Sequence, residues 1–198
     1  MKYFIFFIFL TIQMISQAGN LLNAESGQQR SSIRSEGVPK SIVVLGKTLV
    51  LKEEKNTNNQ FLAEYIPNEE NFKNFTKMFA LWGRLDGSTA DSQVKAKVQF
   101  VNSRKGKDPV ANYNLFQSND KKMFGLDFLI SEEGVMEHNV WAFQNVNGGV
   151  LAYQYVRRYY VQNNSSGDEN FIRGIPEIRN QILQFFKEAI LPRPKGYE

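Results

Sequence analysis

Met136-Glu137-His138-Asn139-Val140-Trp141-Ala142-Phe143-Gln144-Asn145-Val146-Asn147-Gly148-Gly149-Val150-Leu151-Ala152-Tyr153-Gln154-Tyr155-Val156 is the stretch that decides the fold. Two runs rich in β-branched and aromatic residues flank Asn-Gly-Gly, which is strong hairpin chemistry. Two registers are open. A two-residue turn at Asn147-Gly148 sets Trp141 against Gln154 and Phe143 against Ala152. A three-residue loop, Asn147-Gly148-Gly149, sets Trp141 against Tyr155 and Phe143 against Tyr153, gathering four rings on one face. Cross-strand aromatic pairs contribute about 0.2–1 kcal/mol each, and a one-residue slip moves every side chain to the opposite face. On that ground the three-residue loop is expected.

Working outward, 113–117 and 123–130 read as strands that join 136–146 and 150–161 in an antiparallel meander. Their links, Ser118-Asn119-Asp120-Lys121 and Ser131-Glu132-Glu133-Gly134, are turn chemistry. Nearer the N-terminus, 42–45 and 48–51 form a hairpin around Gly46-Lys47. A strand at 61–66 stops at Pro67, and 80–85 reads as another strand. Asn68 can cap a short helix, with Glu69 and Glu70 in its first turn and Phe72, Phe75 and Phe79 at helical spacing. Ser88 or Thr89 starts a second helix to about Asn102, with Val94, Val98 and Val101 on one side. After a polar loop at 163–168 comes the clearest helix. Pro176 sits near its start, Ile178, Ile182, Phe185, Phe186 and Ile190 line one face, and Pro192 and Pro194 end it.

Met123 and Leu129 oppose Phe124, Leu126 and Phe128 across their strand, so both sheet faces are apolar and helices are expected on both sides. The expected class is α+β, a mostly antiparallel sheet flanked by helices.

The N-terminus speaks about location. Lys2, the apolar run from Phe4 to Leu10 and Ser16-Gln17-Ala18 describe a secretory signal peptide, cleaved after Ala18 or alternatively after Ala24. The expected organisation is a signal peptide at 1–18, a flexible polar leader at 19–40, one domain at 41–191 and a C-terminal tail at 192–198. No later run is long and apolar enough to span a bilayer. The 198-residue chain holds no cysteine. That excludes disulfides, thiol nucleophiles and thiolate metal sites. The net charge of +4 is dispersed. Its densest cluster, Arg104-Lys105-Gly106-Lys107 followed by Asp108, reads as a solvated helix end, and no nucleic-acid partner is expected.

The run Glu64-Tyr65-Ile66-Pro67-Asn68-Glu69-Glu70-Asn71-Phe72-Lys73-Asn74-Phe75-Thr76-Lys77-Met78-Phe79 resembles the strand–"YIP"–short-helix element of exported bacterial PsbP/DcrB-like proteins. Asn139-Val140-Trp141-Ala142-Phe143 and Leu151-Ala152-Tyr153-Gln154-Tyr155 are similar to its late hairpin. The resemblance runs from about Ser41 to Leu191 and implies an α/β/α sandwich. It also implies a non-catalytic accessory role in the envelope, and no catalytic residue carries over.

Reactive constellations are sparse. His138 is the one histidine, so an imidazole-built metal site is excluded; it reads as a partly exposed strand residue near Arg158. A His/carboxylate site would need Glu132, Glu133 or Glu137 to converge on it. No Gly-x-Ser-x-Gly or phosphate-loop motif occurs. Asp127 interrupts an apolar strand, and a buried aspartate needs a partner, for which Arg157 or Arg158 is expected. Trp82, Trp141, Tyr153, Tyr155, Tyr159 and Tyr160 read as core, with a ligand groove as the rival assignment. The expectation is an exported, periplasmic or secreted binding module that is not an enzyme, with no catalytic, cofactor or metal residues and other envelope proteins as partners. The alternatives are an exported hydrolase built on Asp127, Glu137 and His138, and a binder of a small apolar ligand between sheet and terminal helix.

Overall fold

The computed structural model describes residues 37–161 and 165–197. The expected signal segment at 1–18, and all of the expected leader except 37–40, lie outside them. The chain forms β1 (Ser41–Val44), β2 (Lys47–Asn56), β3 (Gln60–Ile66), β4 (Lys77–Arg84), α1 (Ala90–Arg104), β5 (Asn112–Gln117), β6 (Met123–Glu132), β7 (Val135–Val146), β8 (Gly149–Tyr160), α2 (Ser165–Arg173) and α3 (Ile175–Glu188). The fold is α+β. One eight-stranded sheet has the order β1-β2-β3-β4-β8-β7-β6-β5, and every pairing is antiparallel.

Two meanders, β1–β4 and β5–β8, build this order, joined by tight turns except at β3–β4, where residues 67–76 intervene. Leu45-Gly46 (φ 48° and 72°) and Glu133-Gly134 (φ 49° and 79°) put both central residues in the left-handed region, the twist that tight hairpins favour. The first turn is therefore centred on Leu45-Gly46, one residue before the expected Gly46-Lys47. The single crossover carries the chain from central β4 to edge β5 through α1. Thr89 caps α1: its side chain accepts from Ser92 N–H while the Ser92 hydroxyl accepts from Thr89 N–H, a reciprocal capping box.

The decisive hairpin takes the other register. Trp141 pairs with Gln154 and Phe143 with Ala152, while Ala142 faces Tyr153 and Val140 faces Tyr155. The expected three-residue loop is thus corrected to a two-residue turn, Asn147-Gly148. The physical reason lies in the second glycine. A Cβ on Gly149 would sit 1.8 Å from the carbonyl oxygen of Arg84, whereas one on Gly148 (φ 78°) would meet nothing within 4 Å. Gly148 supplies backbone freedom to the turn; Gly149 lets β8 pass close to the end of β4.

The rings consequently divide between two faces. Tyr153 and Tyr155 join Val140, Ala142 and Phe79 in one cluster, closed by Ile182 and Phe186 of α3. Trp141 and Phe143 stack on the other face, with centroids 5.5 Å apart. There Lys97 of α1 lies 4.0 Å above the Trp141 ring, and Phe100 meets Phe128 edge-on. A smaller cluster of Ile66, Phe75, Met78, Ala80 and Val156 extends the second face.

Other expectations are corrected locally. Residues 68–76 form turns and not a helix, because polar side chains capture the backbone. Asn71 Oδ1 accepts from Lys73 N–H (2.9 Å), and Glu70 accepts from both the amide and hydroxyl of Thr76 (2.6 and 2.7 Å). Phe75 and Phe79 end on different faces. Part of the expected loop at 163–168 is helical, since α2 begins at Ser165. Ile190 is fully exposed, beyond the end of α3. In the expected C-terminal tail, Tyr197 joins the core: it is 4% exposed and fills the space left by Gly83. Arg193 donates to Gln144 (2.7 Å).

Gly149→Ala should lower stability by about 1–3 kcal/mol through overpacking against Arg84, and Gly148→Ala by about 1 kcal/mol through its positive φ. Urea denaturation of both variants checks this. Equal, negligible losses would contradict the close approach.

Candidate functional site

Between the β5–β6 turn and the C-terminal half of α3 opens a cleft of about 690 Å³, lined by Phe116, Met123, Leu183 and Phe186 together with polar residues of the turn and helix. The turn is fixed by its own side chains. Ser118 Oγ donates to Asp120 Oδ1 (2.6 Å), which also accepts from Lys122 N–H (3.1 Å), and Met123 N–H donates to Ser118 Oγ (3.0 Å). Lys121, at φ 56°, closes it. Phe116 folds over Gly125, where an added Cβ would come within 2.3 Å of its ring. One missing side chain therefore makes room for the aromatic floor. Gln144, held by Arg193, forms part of the wall.

The ionisable groups named from sequence lie elsewhere. Asp127 is buried, as expected of an acid needing a partner, but the partner is neither Arg157 nor Arg158. Its Oδ1 lies 2.5 Å from Arg179 Nε of α3. Its Oδ2 lies 3.4 Å from His138 Nε2 and accepts at 3.4 Å from Asn114. His138 is 0% exposed, which corrects the partly exposed reading, and it pairs in register with Arg157 instead of Arg158. Removing Arg179 would strand the buried Asp127 charge, so the contact ties α3 to the sheet. None of these three residues lines the cleft.

Glu137, adjacent to His138 along β7, points to the opposite face and is bound by Arg158 (Nε 2.8 Å). Glu132 pairs with Arg104 at 3.0 Å, and Glu133 sits in its turn. The carboxylates therefore do not converge on His138, and the set Asp127, Glu137 and His138 is split between faces. Among the described residues, no group of three or more His, Asp or Glu is arranged to hold a metal ion. Arg104 also donates to Ser131 O (2.8 Å), and buried Asp108 accepts from Ser131 N–H and Oγ, both at 2.7 Å. Arg104 and Asp108 thus clamp the end of α1, while Lys105 and Lys107 are exposed. Trp141, Tyr153 and Tyr155 are buried, while Tyr159 stacks on Phe171. None of the six rings singled out from sequence lines the cleft.

On the Trp141 face, polar groups form a closed seam. Trp82 Nε1 donates to Gln154 Oε1 (3.1 Å), and Gln154 Nε2 donates to Asn139 Oδ1 (2.8 Å). Glu64, 8% exposed, pairs in register with Glu53. Burial first, and the Glu53 carboxylate second, push its pKa up to about 7. Burial likewise lowers the Lys97 amine to about 8.

The folded chain thus holds the Glu64 proton up to about pH 7, whereas an unfolded chain releases it near 4.5. The stability this contributes is complete below pH 4.5 and is lost as pH rises through 7. Glu64→Gln should flatten that decline and be the more stable protein at pH 8, by on the order of 2 kcal/mol. Urea midpoints measured from pH 4 to 8 test this; parallel curves for the two proteins would contradict it.

No curated protein and no solved structure matches this chain. A protein-family model matches residues 36–190, from before β1 to beyond the end of α3. The chain belongs to that family.

Proposed function

We propose that this chain is an exported, non-catalytic binding protein of the bacterial envelope that holds its ligand in the cleft between the β5–β6 turn and α3. The cleft carries this reading. Its volume, about 690 Å³, falls within the range of about 300–1,000 Å³ typical of small-molecule sites, and its apolar floor meets a polar rim. The Glu137–Arg158 and Asp127–Arg179 pairs, by contrast, fasten elements together. The separation of Glu137 from Asp127 and His138 counts against the carboxylate hydrolase. An α/β/α layering of PsbP/DcrB-like type is part of the proposal. Contacts of α1 with Trp141 and Phe128, and of α3 with the Tyr153 cluster, support it. Among the described residues, no helix is long and apolar enough to cross a membrane. Export rests on the character of residues 1–18.

The neutral fluorophore N-phenyl-1-naphthylamine should bind the mature protein saturably at one site. Leu183→Glu, which puts a charge on the cleft wall, should weaken it at least tenfold with the near-ultraviolet circular dichroism unchanged. Unsaturable binding, or binding indifferent to Leu183→Glu, would contradict the site. N-terminal sequencing of periplasmic or secreted protein should begin at Gly19 or Glu25; an intact Met1 would contradict export.

A further inference from the structure

The charges around the cleft are unequal. Lys122 from the turn and Lys187 from the last turn of α3 both line it, and Arg193 donates to the lining residue Gln144. Asp120 is the one acid on the wall, and it is engaged. The Ser118 hydroxyl and the Lys122 amide hold its carboxyl below the usual range by donating to it, while the Lys122 ammonium stands 4.0 Å away. Lys187 has no ion pair among the described residues. Glu188, its neighbour, accepts from Gln184. Asp120 therefore stays ionised beside Lys122, and the lining residues carry two lysines against this one carboxylate, an excess of one positive charge supplied by unpaired Lys187, over a floor and roof of Phe116, Met123, Leu183 and Phe186. Apolar depth beneath a positive rim matches an apolar tail ending in a negative group.

Resting on the reading of the cleft as a binding site, we propose that its ligand is a free, single-chain anionic amphiphile. The chain lies between Phe116 and Met123 on the sheet side and Leu183 and Phe186 on the helix side. The head, a carboxylate, sulfate or phosphate monoester, meets Lys122 and Lys187. Binding to tail and head then scale separately. Each added methylene should tighten binding about fourfold, and the sign of the head should set which amphiphile is preferred.

Isothermal titration of the mature protein at pH 8 tests this with decanoate, dodecanoate and dodecyltrimethylammonium, all below their micelle concentrations. Dodecanoate should bind one-to-one, on the order of tenfold tighter than decanoate and at least tenfold tighter than the cation of equal chain length. Lys122→Gln/Lys187→Gln should erase that preference for the anion; a preference unchanged in this double variant would overturn the assignment of the head to these lysines. Anion and cation binding equally, with the neutral probe still bound, would overturn the charged-head assignment and leave the cleft as a site. Loss of binding by all probes would remove the site itself. Capture on phosphatidylglycerol vesicles without binding of free dodecanoate would overturn the free-amphiphile assignment in favour of a lipid surface.

Discussion

The pairing of β7 with β8 is the constraint from which the remaining structure follows. Because side chains alternate along a strand, this one register determines which residues each helix meets. With Trp141 opposite Gln154, Tyr153 and Tyr155 of β8 turn toward α3 and the Trp141–Phe143 stack turns toward α1. The same alternation separates His138 from Glu137, sending the histidine to buried Asp127 and the glutamate to Arg158. Gly149 enforces the register sterically, since only a residue without a side chain lets β8 begin against the Arg84 carbonyl.

Two aromatic layers are a better use of this sequence than one. Each face of the central strands needs apolar cover, and rings on both faces give each helix something large to bury. Ile182 and Phe186 close one layer, and the Arg179–Asp127 pair ties α3 to β6. Cover ends where α3 passes the β5–β6 turn, and the space left there is the cleft. The C-terminal segment then straps the same face, with Tyr197 over Gly83 and Arg193 on Gln144.

Much of the fold was legible in the sequence, because strands, tight turns and the terminal amphipathic helix are local signals. Seven of the eight strands carried them within a few residues, and β2 was recognised in its first half. The hairpin register and the partner of Asp127 were misread because long-range contacts decided them. Summed aromatic pairing favoured the wrong register, since nothing local reveals that Arg84 crowds Gly149. The spacing of Phe72, Phe75 and Phe79 imitated a helix, but Asn71 and Glu70 bind nearby backbone and β4 claims Phe79. Asp127 was readable as a buried acid needing a cation, yet its partner came from a helix far along the chain. The cleft had no sequence signature, because Phe116 and Leu183 are ordinary apolar residues until the fold brings their elements together.

Cross-strand nuclear Overhauser contacts within the β7–β8 hairpin test this account most directly. It predicts backbone contacts that pair Trp141 with Gln154, Ala142 with Tyr153 and Phe143 with Ala152. Contacts pairing Trp141 with Tyr155 and Phe143 with Tyr153 would contradict it, returning all four rings to a single face.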